Sequence, residues 1–273
     1  MTATAVPAHS AIDPYLRQTV RLGTQAVVHA SALLRTWVRD PGVVVQTLVF
    51  PAFLLGVFHL VLGQSTTNLG LGDSIYRNTG LVALVGAMFG TIMTGLQLIS
   101  ERQTGLLARL STLPVPRSGY LLGRVLAEVV RITIATVVLF AVAIPMGFRF
   151  TQGWLAGVAA LLVPVIAGTG IVFVMIACAT VAPRSLMEET AIPFLFMMFF
   201  NTGFAPLSEY PGWLQPIVEY QPMSPAVDAL SGLTEGGPVA RPLALTIVWA
   251  VGLSVVFGVL AVRGYRKAAQ RSI

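Results

Sequence analysis

Glu128 stands four residues after Arg124 and three before Arg131, a spacing that puts all three side chains on one face of a helix. At the mouth of an apolar segment such a triad serves either as a structural charge clamp or as a proton relay, and a relay needs acids deeper in the membrane. A second charged pair, Glu101 and Arg102, opens the stretch ERQTGLLARLSTLPVPRSGYLLGR over 101–124. In it Leu106, Leu107 and Leu110 recur at helical spacing around Arg109, and Pro114 and Pro116 stop the helix. A short amphipathic helix held between two apolar segments is shaped to dock in a groove of a soluble partner, although a tight hairpin without a partner fits the same residues. His59 lies late in an apolar run and can be neutral at pH 7, open to a transport role or to interfacial packing. Gln46, Gln97 and Asn201 are neutral polar groups suited to helix–helix hydrogen bonds, and Gly86-x-x-x-Gly90 permits close helix approach.

The residue types that other chemistries require are missing. A P-loop closes a glycine-rich turn with lysine, and the only lysine, Lys267, follows Arg266. There is no GxSxG, no HExxH and no pair of carboxylates within one apolar run, so no catalytic residue is predicted. The one cysteine, Cys178, makes no internal disulfide, and no Cys/His cluster has metal-ligand spacing; neither metal nor cofactor is expected on this chain.

Membrane spans are the elements that must position these residues. The chain has 273 residues, 55% hydrophobic and only 10% charged, with a mean hydropathy of +0.80, whereas soluble domains carry about 25% charged residues. Crossing ~30 Å of hydrocarbon takes about twenty predominantly apolar residues. Runs of that kind lie at 43–63, 80–100, 125–147, 154–181 and 242–262, and a shorter one, Ala191 to Pro206, reaches spanning length if its helix begins near Leu186. The prediction is an all-α integral membrane fold of six spans. It comprises an N-terminal arm over 1–42, a transmembrane domain over 43–262 and a basic tail over 263–273.

Charge sets the orientation. The arm, the 101–124 loop, the 182–190 loop and the tail together hold thirteen basic residues, against Arg77, Arg149 and Arg241 on the other side. The positive-inside rule then predicts both termini in the cytoplasm, which requires an even number of spans. The net charge of +6 is spread between apolar runs rather than gathered in one patch, a pattern of topology and lipid-headgroup contact rather than of nucleic-acid binding. The first forty residues contain no uninterrupted apolar h-region, so no cleaved signal is expected.

At 100° per residue, Arg17, Arg21, Arg35 and Arg39 fall in a stripe about 40° wide. Beside it runs an apolar face of Leu16, Val20, Val27, Leu34 and Val38, continued by Ala26, Leu33 and Trp37. A helix lying in the inner-leaflet interface has this form, and so does a juxtamembrane topology signal with no mechanical role. Asp40 and Pro41 end it. In the acidic segment 207–241, prolines alternate with Tyr210, Trp213 and Tyr220, as in helices that dip partway into the outer leaflet or in a lid resting on the headgroups.

In the 101–124 loop the sequence resembles the membrane subunits of type-2 ATP-binding-cassette (ABC) exporters. Glu101, Arg102, Gly105, Leu107, Leu110 and Pro114 match that family's E-R-x-x-G-x-L-x-x-L-x-x-x-P coupling helix. Arg39, Asp40 and Pro41 match the R-D-P that ends its connecting helix, and Pro51 its first-span proline. Tyr210-Pro211-Gly212-Trp213 and Gln221-Pro222-Met223-Ser224 resemble the proline-flanked aromatic and Q/N-P-x-S/T of its external re-entrant region. Within the family the chain looks most like the daunorubicin-resistance-type permeases of actinobacteria, a subgroup that includes mycobacterial permeases implicated in exporting phthiocerol dimycocerosate.

The resemblance implies a plasma-membrane permease subunit without nucleotide-binding function. Two permease chains, identical or related, would join two copies of a separate ATPase that binds ATP and Mg. Residues 101–114 and the connecting helix, with Arg35 on its basic stripe, would carry force into the spans, and an anthracycline-like drug or an envelope lipid would move outward. Met197, Met198, Phe199, Phe200 and Asn201 are candidates for the substrate path, with ordinary helix packing as the other reading. An ion-gradient-driven secondary transporter is the alternative, with His59 the one candidate coupling group.

Overall fold

The computed structural model describes residues 22–68, 74–105, 117–181, 189 and 191–270. Within them the regular structure is entirely helical.

Helix α1 (Leu22–Arg39) stops where Asp40 leaves helical geometry, at φ −95° and ψ 101°. The Asp40 carboxylate accepts from the amides of Gly42 at 3.0 Å and Val43 at 3.3 Å. It thereby caps α2 (Pro41–Val44), whose first residue is a proline that needs no hydrogen-bond acceptor there. The R-D-P sequence is therefore a corner. A π-helical turn, Val45–Val49, leads into α3 (Phe50–Asn68), and the Phe50 N–H bonds to the Val45 carbonyl. Pro51 gives the reason: in a regular helix its ring would meet the carbonyl four residues back, and a widened turn relieves that clash.

Then follow α4 (Ser74–Gln103), α5 (Arg117–Ala143) and α6 (Gly153–Val181). After them come the short α7 (Ala191–Phe199), α8 (Gln215–Tyr220) and α9 (Met223–Thr234), and the long α10 (Ala240–Gln270). Among the described residues, five segments are long and apolar enough to cross a membrane: Pro41–Val61, Ile75–Gln103, Gly119–Met146, Gly153–Thr180 and Ala240–Gly264. Leu81, Val82 and Leu98 of α4 and Val172, Met175 and Ile176 of α6 are buried in the core, which α9 completes with Ala226, Val227 and Leu230. Phe53 on α3 and Val248 on α10 are by contrast 67% and 66% exposed, as lipid-facing side chains are.

Two features depart from the sequence expectation. The 101–124 loop shrinks, because α4 runs on to Gln103 and α5 begins at Arg117, so Arg124 belongs to a helix rather than to a loop. The segment expected to form a span over 186–206 is described only as α7, which covers about 14 Å at 1.5 Å per residue; residues 182–188 lie outside the described ones. Asn201 ends that helix. Its side chain accepts from the amides of Gly203 at 2.8 Å and Phe204 at 3.1 Å and donates to the Met197 carbonyl at 3.0 Å.

Two glycines set how closely α1 approaches α5. A Cβ on Gly123 would lie 2.7 Å from the His29 Cβ and 2.9 Å from the Ala26 carbonyl, and one on Gly119 would lie 2.9 Å from Gln25 Oε1. Gln25, Ala26 and Ala30 are the buried face of α1, while Val27 and Val38 stay exposed. The apolar face read from the sequence thus splits, with one side on α5 and the other exposed. Gly123→Val should lower the thermal midpoint of the purified protein by an amount equivalent to about 1–3 kcal/mol of overpacking. Gly252→Ala, where a Cβ meets nothing within 4 Å, should leave it unchanged or raise it. Equal midpoints for the two variants would refute the close approach of α1.

Candidate functional site

The charged residues singled out by the sequence gather where α4 and α5 face each other beneath α1. Arg124 is 1% exposed, and a buried guanidinium must be both paired and hydrogen-bonded. Its Nη2 and the Tyr120 hydroxyl both donate to Oε2 of Glu101. Its Nε bonds to the Tyr120 oxygen at 3.0 Å and its Nη1 to the Thr94 carbonyl at 3.2 Å. Tyr120 in turn meets His29 of α1 edge-on, with ring centroids 5.6 Å apart.

Arg131 pairs with Glu128 through Nε at 2.8 Å and Nη2 at 2.6 Å. Glu128 also accepts from the Thr94 hydroxyl. The single face expected for Arg124, Glu128 and Arg131 therefore resolves into two ion pairs, Glu101–Arg124 and Glu128–Arg131, bridged by Thr94. Gly90 makes room for the second: a Cβ there would overlap the Arg131 guanidinium, while one on Gly86 would press on Pro51 at 3.1 Å.

The helix that carries this network starts earlier than the sequence expectation. A third span starting at 125 places Glu128 at the membrane edge. The helical segment that carries them instead begins at Gly119 and runs to Met146, so both residues lie inside the helix rather than at its start. Charges within a membrane-spanning helix survive only when paired, and they are functional suspects by default.

Glu101 and Arg102 are anchored in different directions. Glu101 holds α5 through Arg124 and Tyr120, whereas Arg102 Nη1 donates to the Ala179 carbonyl at 3.1 Å, near the end of α6. Gly105, at φ +73°, turns the chain after α4, a conformation that favours glycine. Leu106, Leu107, Leu110 and Pro114 lie outside the described residues. Arg35 and Arg39 are exposed on α1, and Asp40 and Pro41 form the corner described above.

Elsewhere, Tyr210 and Gln221 of the two proline-containing motifs close the end of α7. The Tyr210 hydroxyl donates to the carbonyls of Phe199 at 3.2 Å and Asn201 at 3.0 Å, and Gln221 Nε2 donates to that of Phe200. Helix ends leave such carbonyls without intrahelical partners. Met197 and Met198 pack partly on the core, Phe199 is exposed, and Phe200 stacks on Phe196 with centroids 4.5 Å apart. Asn201 is fully buried in its own turn. His59 is partly buried, with Nδ1 lacking a partner.

Sequence reasoning missed Thr94, Tyr120 and the Gly119/Gly123 pair. The glycines carried a signal, since their spacing is that of a close helix contact, and Tyr120 stands four residues before Arg124. Thr94 had none, because its role depends on which way α4 faces.

Comparison with known proteins adds the following. The ABC-2 type transporter family matches residues 24–234. A Mycobacterium tuberculosis (strain H37Rv) protein named "Probable doxorubicin resistance ABC transporter permease protein DrrC" is 35% identical over 246 residues, 90% of this chain and 89% of the relative. The protein of the same name from strain CDC 1551 matches to the same extent. "Daunorubicin resistance ABC transporter permease protein DrrB1" of Streptomyces coeruleorubidus is 29% identical over 187 residues, 68% of this chain and 66% of that one.

Removing one partner of a buried pair strands the other, at a cost of about 3–5 kcal/mol. Arg131→Met alone should therefore depress the thermal midpoint sharply, and Glu128→Gln/Arg131→Met should recover more than half of that loss. A double variant no more stable than the single one would show that the two side chains are not paired.

Proposed function

The chain belongs to the ABC-2 type transporter family, and from that premise we propose that it is the membrane subunit of an ATP-driven exporter that carries an amphipathic molecule outward across the plasma membrane. The relatives are named for doxorubicin and daunorubicin resistance, so an anthracycline-like drug is the proposed cargo. Each is named as an ABC permease, which favours ATP over an ion gradient as the energy source. In this reading two permease chains, identical or related, sit on two copies of an ATPase that binds ATP and Mg. Both termini are cytoplasmic, residues 186–206 complete a fifth of six spans, and α8 and α9 are the external re-entrant helices.

The observation that carries this reading is the anchoring of Glu101 and Arg102. The segment after them is the one expected to seat on the ATPase, and they tie its near end to α5 and to α6. A displacement of residues 101–114 by closure of the ATPase would then move two spans, with α1 following through its contact with α5. Direction would come from different affinities of the two conformations for the cargo.

The test is drug-stimulated ATP hydrolysis and drug efflux in membranes that hold this chain and its ATPase. Glu101→Ala and Leu110→Asp should each lower both activities roughly two- to thirtyfold, the range that about 0.5–2 kcal/mol of lost coupling gives, with membrane insertion intact. Unchanged efflux in both variants would overturn the coupling role. Transport that follows an imposed proton gradient with no ATPase bound would overturn the exporter.

A further inference from the structure

A cavity of about 310 Å³ lies between α1, the α2 corner, α4 and α5, at the lower end of the roughly 300–1,000 Å³ typical of ligand sites. Its walls reach along α4 from Glu101 to Gly90, eleven residues or about 16 Å of helix. The exposed Ser100 stands at the end that also carries Glu101, the Glu128–Arg131 pair lines the other, and the exposed Asp40 belongs to the wall between α1 and α2. The cavity, largely apolar with polar groups set along its walls, is therefore about half as long as a bilayer's hydrocarbon layer is thick. We propose that it binds the uncharged, oxygen-rich head of an amphipathic molecule, such as a sugar, while the apolar part stays among the helices and lipid.

The charges argue for a neutral head. Glu101 pairs with Arg124 and Glu128 with Arg131, and the Asp40 carboxylate accepts from the amides of Gly42 and Val43. Apart from Asp40, which is exposed and bonded only to neutral amides, a charged guest would find no free counter-charge, and burying an unpaired charge is expensive. What the cavity does offer is hydrogen-bond donors. Arg131 is 4% exposed, yet its Nη1 has no acceptor, and Nε1 of Trp37 on the facing helix is likewise buried without one. Buried donors of this kind are normally satisfied, and oxygen atoms of a neutral head satisfy both. Gln46 and Gln97 add amide groups to the walls, while Leu33, Leu34 and Met93 supply apolar surface.

This inference rests on the exporter reading for its orientation, so the test separates the two. The permease and its ATPase, purified together in lipid nanodiscs, are photolabelled with dodecyl maltoside carrying a diazirine on the sugar, and the adducts are mapped by mass spectrometry. Adducts are expected on the peptides holding Thr47 and Gln97, competed by unlabelled dodecyl maltoside. They should fall by roughly tenfold or more in Gln97→Trp, which fills the cavity, and be weaker for an analogue with a quaternary ammonium head. Leu34→Trp, on the opposing wall, serves if the first variant does not assemble. No adducts in the cavity, equal labelling by the charged analogue, or labelling unchanged by a cavity-filling variant would overturn the site and leave water as its occupant. Loss of labelling on trapping the ATPase with ATP and vanadate would mark a transported molecule, and retention a resident lipid; both support the site. Labelling without drug-stimulated ATP hydrolysis keeps the site and removes the exporter reading, whereas stimulation without labelling does the reverse.

Discussion

Burying charge inside a membrane-spanning bundle is permitted only when every charge is met, and that constraint organises one half of this protein. Arg124 and Arg131 both project from α5 into a region with almost no exposure. Each needs a carboxylate and additional hydrogen bonds to offset its desolvation. The carboxylates come from two places: Glu128 from the same helix, Glu101 from the end of α4. Thr94 joins the pairs by donating to Glu128 and accepting from Arg124. The register of α4 against α5 is therefore fixed by polar contacts as well as by packing.

The surrounding sequence is adapted to this network. Gly90 has no side chain because the Arg131 guanidinium occupies that volume, and Gly119 and Gly123 bring α1 close enough for His29 to meet Tyr120. The Asp40 cap and Pro41 turn the chain from α1 into the first span, and Pro51 widens the turn that follows. The result is a continuous mechanical connection. It runs from α1 through Tyr120 to Arg124 and Glu101, and from the neighbouring Arg102 to the end of α6. Any displacement of the end of α4 would reach both α5 and α6.

Much of this was legible in the sequence because the relevant signals are local. The long apolar runs marked the five candidate spans among the described residues to within a few residues, apart from the starts of α4 and α5. Those were missed because Arg77, Arg117 and Arg124 interrupt the hydropathy, although Arg124 is buried with partners. Asp40-Pro41 was readable as a helix end, since its cap is made within three residues. The pairing of Glu101 with Arg124 was not, because it joins positions 23 apart in sequence whose meeting depends on how two helices pack. The break at Asn201 escaped notice for a different reason: hydropathy reads straight through AIPFLFMMFF and gives no weight to an amide side chain that bonds its own turn.

The central claim is that the Glu101–Arg124 pair links the ATPase-facing loop to the membrane helices. A charge exchange tests it most directly, with ATP-dependent drug efflux measured for Glu101→Arg, Arg124→Glu and the combined exchange, each confirmed to be inserted and bound to the ATPase. The account predicts that each single reversal abolishes efflux, because two like charges then face each other under α1, and that the double exchange restores a substantial share of it. Efflux retained in the single reversals, or a correctly assembled double exchange as inactive as either single one, would contradict it.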